Sequence, residues 1–210
     1  MPDEIGLFEA IYSQRAIRKL KPDPVSDELV HKLIEAATKA PSGGNREPWA
    51  FLVVRDAESK KKIGQWYLDA WNRTYGQIDV EGGQLPDSMM RVYGAAEHLA
   101  HHLSEVPVMI FVCLRDAPPA GSPHAAILYG SIYPAVQNLL LAARGLGLGA
   151  SLTTLHKGHE QEVKELLGIP ETVETVALIP VGHPIGRYGP TTRRPVEEVT
   201  HHERWDQAKT

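Results

Sequence analysis

Residues 125 to 146 are apolar around almost the whole circumference of a helix, with Ile127, Ile132, Val136, Leu139, Leu140 and Ala143 on every side of the projection. A helix with no polar face has to be covered on all sides. A chain of 210 residues has little left over to cover it, so the expectation is a long central helix whose outer side is closed by a second subunit. Pro134 allows a kink inside it, or a later start.

The surrounding sequence supplies the layers. Ile5, Phe8, Ile11 and Tyr12 recur at helical spacing, then "QRAIRKLKP" at residues 14 to 22 reads as a positively charged loop. Ser26 is placed to cap a helix carrying Leu29, Leu33, Ala37 and Ala40 on one face, and Pro41 ends it. "WAFLVVRD", "VPVMIFVCL" and "VALIPVGHP" are apolar, β-branched runs, as expected of strands covered on both faces. Residues 58 to 105 read as helical, interrupted by the polar "GQIDVEGGQLPD", and so as a lid-like insertion. "GLGLGASLTTLH" makes a tight backbone passage, and "EQEVKELLGIP" a short helix closed by Gly168 and Pro170. The tail, residues 185 to 210, is rich in glycine, proline and charge, has no core of its own, and is expected to wrap the partner subunit. The whole is one domain, residues 1 to 210.

Composition removes several function classes. A net charge of -4 gives no overall pull toward nucleic acid or an anionic membrane. No segment is expected to span a bilayer, and the N-terminus shows no basic leader. The single cysteine, Cys113, lies in a strand-like run and cannot form an intrachain disulfide, which fits the cytoplasm.

The candidate chemistry is sparse. His98, His101 and His102 share a predicted helix, but no Glu adjoins the first His and no third ligand is evident, so no metal site is expected. His156, His159, His183, His201 and His202 read as solvated loop residues. Ser42, Ser131 and Ser151 lack the setting of a nucleophile. "GLGLGAS" follows a helix instead of opening one after a strand, so it fails as a dinucleotide fingerprint. What remains is two arginine clusters distant in sequence, Arg15 with Arg18 and Arg193 with Arg194. Brought together, their planar donor forks make a phosphate site. Apart, they are surface charges.

Taken in order, "QRAIRKLKPDPV", "APSGGNREPWAFLVV", the apolar helix leading to "GLGLGASLTT", and "VGHP" followed by "TTRRPVEEV" resemble the nitroreductase family of flavin mononucleotide enzymes. The resemblance runs from about residue 8 to residue 200. It implies an α+β, three-layer sandwich in which a mostly antiparallel central sheet is surrounded by helices, assembled as an intertwined homodimer with two flavins at its interface. The family's first block is similar to arginine, arginine, serine, a branched apolar residue and arginine. Here it reads Gln14, Arg15, Ala16, Ile17, Arg18, short of one charge and one hydroxyl. Arg15, Arg18 and Arg193 are left to carry the phosphate, with Arg194 beside them. The resemblance also implies that Pro41, Ser42, Gly43 and Asn45 line the flavin and its ribityl chain, and that Leu152, Thr153 and Thr154 approach its reactive edge. Trp49 is expected in the core. Glu47 stands where the family more often has glutamine.

The activity implied is ping-pong electron transfer from NADH or NADPH, through FMN, to a nitroaromatic, quinone or similar flat acceptor chosen by the lid. No protein side chain need act as catalytic acid or base, because the flavin carries the reactivity and protons can come from water. Two alternatives stay open at this point. One is a specialised flavoenzyme of the same family, of the reductive dehalogenase or flavin-fragmenting type. The other is a non-enzymatic FMN-binding or storage protein, suggested by Gln14 and Ala16.

Overall fold

A computed structural model of the chain describes residues 5 to 78, 86 to 119 and 121 to 205. The centre of the predicted lid interruption, residues 79 to 85, lies outside them. Among the described residues there are six α-helices and a five-stranded antiparallel sheet, so the fold is α+β.

The sheet is organised by β3, Val108–Leu114, every residue of which is buried. Its side chains alternate between two cores, as a strand's period of two requires. Val108, Ile110, Val112 and Leu114 join Leu33 and Ala37 of α2 (Asp27–Thr38) and Ile132, Val136 and Leu139 of α5 (Ala125–Gly145). Met109, Phe111 and Cys113 face the other way, toward Ile63, Tyr67 and Trp71 of α3 (Ala57–Tyr75), Leu99 of α4 (Asp87–His102) and Val163 of α6 (Glu160–Leu167). Two helical layers thus sandwich one sheet. Antiparallel partners flank β3: β2 (Trp49–Val54) on one side and β5 (Glu174–Pro184) on the other. Two short strands, β1 (Leu20–Lys21) and β4 (Gly149–Ala150), pair with β5.

Local chemistry sets the boundaries. The Ser26 hydroxyl accepts a hydrogen bond from the Leu29 N–H at 3.3 Å and caps α2, and Asp56 does the same for α3 through the Ser59 N–H at 2.8 Å. Gly168, in the left-handed conformation, closes α6. Trp49 is buried at the head of β2, as expected. β2 lies at the edge of the sheet and its middle is half-buried, yet both faces are covered as its composition suggests: Phe51 and Val53 pack on one core and Ala50 and Leu52 on the other. The basic stretch is likewise not all loop: Leu20 and Lys21 pair with Pro184 and His183.

Helix α5 is continuous through Pro134. By length and composition alone it is apolar enough to cross a bilayer. Its inner side instead fills the core against α2 and β3. Its outer side is not covered within one chain, where Ile127 and Tyr133 are 55% and 46% exposed. The first helix, α1 (Leu7–Ser13), is open in the same way, with Leu7, Phe8, Ile11 and Tyr12 exposed.

Two histidines correct the sequence reading. His159 is tied at one ring nitrogen to Asp69 and at the other to Glu162. His156, read as solvated, is buried. Its Nε2 lies 3.0 Å from the Thr175 carbonyl oxygen, which can only accept, so Nε2 carries the proton. Nδ1 is buried with no hydrogen-bond partner among the described residues. A second proton there would be an uncompensated charge, and burial pushes the His156 pKa down to about 4.

The folded state therefore binds fewer protons at His156 than the unfolded state does between its ordinary value and about pH 4. Stability present above the unfolded value is lost as pH falls through that window, by up to about 3 kcal/mol. Denaturant titrations of wild type and His156→Gln at pH 7 and pH 4 are expected to show a smaller acid loss in the variant.

Candidate active site

The arginine-bearing segment is held by close packing. The Ile17 N–H donates to the Ala150 carbonyl at 3.0 Å, and the Ile185 N–H donates to the Lys19 carbonyl at 2.9 Å, so the segment is pinned both to β4 and to the residue that follows β5. Room for its apolar side chains comes from two glycines. A Cβ on Gly149 would lie 2.6 Å from Leu20 Cδ2 and 2.8 Å from Ile17 Cγ2, and one on Gly182 would lie 3.1 Å from Leu20 Cβ. The glycines of "GLGLGAS" thus serve backbone packing here. With Ile17 and Leu20 turned inward, Arg15 and Arg18 are left facing a cavity.

That cavity, of about 540 Å³, is lined by Arg15, Ala16 and Arg18 together with Arg193 from the far end of the chain. The tail is brought there by Thr191, whose N–H and hydroxyl both donate to the Tyr12 carbonyl, at 2.9 and 3.1 Å. Tyr188 adds a hydrogen bond to the Leu148 carbonyl, and the Arg144 guanidinium sits 4.5 Å from the Tyr188 ring centre. Arg18 also lines an adjoining cavity of about 310 Å³ whose walls include Leu152, Thr153 and Thr154. Seven of the twelve expected site residues therefore meet across two neighbouring spaces. Arg194 lines neither of them.

The other five do not join them within one chain. Gln14 caps the end of α1, its N–H bonded to the Ala10 carbonyl. Pro41, Ser42, Gly43 and Asn45 line neither cavity. Their loop is fixed instead to α5: the Gly43 N–H donates to the Ser131 hydroxyl at 3.0 Å. It is conformationally unusual, with positive φ at Gly44, Asn45 and Glu47. The Glu47 side chain is exposed.

The electrostatics are those of an anion site. Among the described residues no Asp or Glu lines either cavity. Arg15 and Arg18 make no side-chain hydrogen bond or ion pair among the described residues, and Arg193 bonds only to the neighbouring Thr192 carbonyl. Burial depresses the pKa of Arg18 from its ordinary value, and nearby Tyr67 offsets part of that. Another cavity, of about 620 Å³, shows the contrast, because its cations are already matched: Lys157 Nζ lies 2.6 Å from Glu160 and 2.8 Å from Glu174, and Lys164 Nζ lies 3.4 Å from Glu171.

Thr153 is engaged on three sides. Its N–H and carbonyl bridge to Leu178, and its hydroxyl lies 2.8 Å from the Tyr67 hydroxyl. Burial raises the Tyr67 pKa, against the lowering effects of Thr153 and Arg18, so the phenol stays protonated. Thr154 is exposed and its hydroxyl has no bond among the described residues, which leaves it a donor toward the cavity.

Sequence reasoning missed the aromatic wall. Tyr67, Trp71 and Tyr75 of α3 and Tyr93 of α4 line the smaller cavity. The i, i+4, i+8 spacing of the first three marks one helix face and was a readable signal. Arg91 of α4, which lines the larger cavity, had no such signal. On metals, His98 and His102 stack with ring centres 4.3 Å apart, and among the described residues no group of three or more ligating side chains is arranged around a common point.

A model of the nitroreductase family matches residues 11–183. The chain is 32% identical, over 84% of both chains, to a protein of Archaeoglobus fulgidus provisionally named NADH dehydrogenase/NAD(P)H nitroreductase. It is 26% identical, over 94% of this chain and 73% of the relative, to the FMN reductase [NAD(P)H] of Bacillus subtilis. Its fold is similar to the crystal structure of a nitroreductase with bound FMN from Desulfitobacterium hafniense, with a TM-score of 0.69, 23% identity, and coverage of 93% and 97% of the two chains.

If the glycine clamp places the arginines, Gly149→Ala forces Ile17 and Leu20 outward. The expected cost is about 1 to 3 kcal/mol in a urea titration, as for overpacking elsewhere in a core. Tyr67→Phe, which removes one hydrogen bond, is expected to cost about 1 kcal/mol in the same assay.

Proposed function

The chain belongs to the nitroreductase family, and from that premise we propose that it is an FMN-dependent oxidoreductase. It takes electrons from NADH or NADPH and passes them to a nitroaromatic, quinone or similar flat acceptor by a ping-pong mechanism. The observation that carries this reading is the convergence of Arg15, Arg18 and Arg193 on one cavity that no carboxylate of the described residues lines, next to Leu152, Thr153 and Thr154.

The residues present fit the cofactor. A phosphate monoester carries about two negative charges at neutral pH, and guanidinium forks match its oxygens. Half-buried Arg18, with no ion pair among the described residues, regains there what it loses in leaving water. The absent arginine and serine of the family pattern, replaced by Gln14 and Ala16, remove contacts worth about 1.5 to 3 kcal/mol for a charged hydrogen bond. They weaken the site without dismantling it.

When bound, the flavin supplies the hydride acceptance and electron release that no side chain here provides. The protein's part is positional. Arg15, Arg18 and Arg193 hold the phosphate end. Thr153, its hydroxyl and backbone committed to Tyr67 and Leu178, keeps the strand-like turn rigid, while Thr154 offers its hydroxyl as a donor. The aromatic side chains of α3 and α4 shield the adjoining space from water and present flat surfaces to an acceptor. For a nitro group reduced by two electrons the balance is nitroarene plus NAD(P)H plus a proton giving nitrosoarene, NAD(P)+ and water.

The site is completed by a second copy. In this reading the exposed apolar faces of α1 and α5 pair with those of a partner, and the loop of Pro41, Ser42, Gly43 and Asn45, anchored on α5, serves the cavities of the other subunit. The tail beyond Arg193, with Val196, Val199 and Trp205 exposed, packs on that partner. A single buried thiol, Cys113, with its pKa raised to about 11 by burial, is consistent with a cytoplasmic protein that has no redox use for cysteine.

The purified protein is expected to be yellow, or to become so with FMN, and to bleach anaerobically with NADH or NADPH. A flavin that binds but bleaches with neither donor identifies a store and not a reductase. Arg18→Ala is expected to weaken FMN binding roughly tenfold to a hundredfold in a fluorescence titration. Affinity unchanged from wild type refutes the phosphate assignment.

A further inference from the structure

We infer that Arg91 on α4 recognises an oxyanion substituent, a carboxylate or similar group, on the acceptor, so that flat anionic rings are preferred to neutral ones. The inference rests on the oxidoreductase reading above and names its substrate class.

The argument begins with a charge excess. Among the described residues the larger cavity is lined by four guanidinium groups, Arg15, Arg18, Arg91 and Arg193, and by no carboxylate. The chain as a whole has 26 acidic residues against 22 lysines and arginines, so such a concentration is not the default of its composition. The cofactor phosphate neutralises about two of these charges. Two remain.

Position separates Arg91 from the other three. Arg15 and Arg18 come from the segment clamped by Gly149 and Gly182, and Arg193 from the tail bonded to Tyr12, whereas Arg91 belongs to α4. Its neighbours on that helix connect the two cavities: Val92 lines both, and Tyr93 and Ala96 line the aromatic one. A flat molecule against Tyr93 and Trp71 therefore has Arg91 on the side that opens toward the arginines. Arg91 makes no side-chain hydrogen bond or ion pair among the described residues. It is exposed, so its charge is available to a ligand and its replacement leaves the core intact.

A charge-assisted bond to a partly exposed anion changes affinity by roughly tenfold or more. It weakens with salt, as exposed pairs do.

The test uses the FMN-loaded protein, reduced anaerobically with NADH or NADPH and mixed with 4-nitrobenzoate or its neutral analogue 4-nitrobenzamide. Benzoate and benzamide are also titrated against the oxidised protein and followed by the flavin absorbance. Wild type is expected to favour the carboxylates roughly tenfold relative to Arg91→Gln, with benzoate binding weakened by salt. Arg91→Gln keeps its flavin content, and Arg91→Glu turns the preference toward a cationic ring. An acceptor ratio unchanged by Arg91→Gln overturns the inference. So does a variant that slows reduction by NADPH but not by NADH while the acceptor ratio stands, since the charge then serves the donor. Flavin that no nicotinamide bleaches removes the oxidoreductase reading and the inference with it, whereas bleaching without anion preference removes the inference alone.

Discussion

The contact on which the site depends is an apolar one. Ile17 and Leu20 are pressed into the space left by the missing side chains of Gly149 and Gly182, with Ile17 also hydrogen-bonded to Ala150. Arginine side chains are long and adaptable, and alone they define no site. What gives Arg15 and Arg18 a direction is the clamp between them and after them. Ile17 is half-buried and Leu20 begins a strand pair, so these two apolar side chains are held against the glycines while Arg15 and Arg18 line the cavity. Two glycines far along the chain thus decide where positive charge is presented.

The same logic extends to the tail. Arg193 reaches the cavity because Thr191 spends two donors on the Tyr12 carbonyl, next to where the basic segment starts. One short stretch at the end of α1 therefore registers both arginine clusters. The helix that provides it shows its apolar face to solvent within one chain, as does the outer side of α5. A monomer of this shape leaves a large apolar surface exposed, the usual mark of an interface.

Much of the fold was legible because its signals are local. The continuous apolar run of β3 announced burial on both faces, and Ser26 and Gly168 announced helix ends through their own hydrogen bonding and backbone freedom. The edge position of β2 was hidden, since composition does not say which strand lies outermost. His156 was hidden too: neutral imidazole beneath Thr175 looks no different in sequence from a solvated one. Within the site, resemblance supplied the arginines and the turn at Leu152, Thr153 and Thr154. The partner of the Thr153 hydroxyl, Tyr67, lies 86 residues away and emerges only with the packing of α3 on that turn. Arg91 carried no signal at all, because an arginine on a polar helix face is indistinguishable from a solubilising charge until its neighbours are known.

Folding of this chain on its own leaves a debt in the arginine cavity. Arg18 is drawn partly out of water, which depresses its pKa, and no carboxylate among the described residues compensates it. Proteins normally pair such a charge, so its persistence indicates a partner that arrives from solution. A dianion bound there relieves the desolvation of Arg18 and the mutual repulsion of the cluster at once, and its binding free energy adds directly to folding stability as ligand concentration rises above the dissociation constant. Ligand and fold are then coupled: the protein is least stable where its site is best prepared. In the proposed reading that preparation also makes Gln14 and Ala16 tolerable, since the anion would be held by three guanidinium groups brought from two separately anchored segments and not by any one residue of the first block.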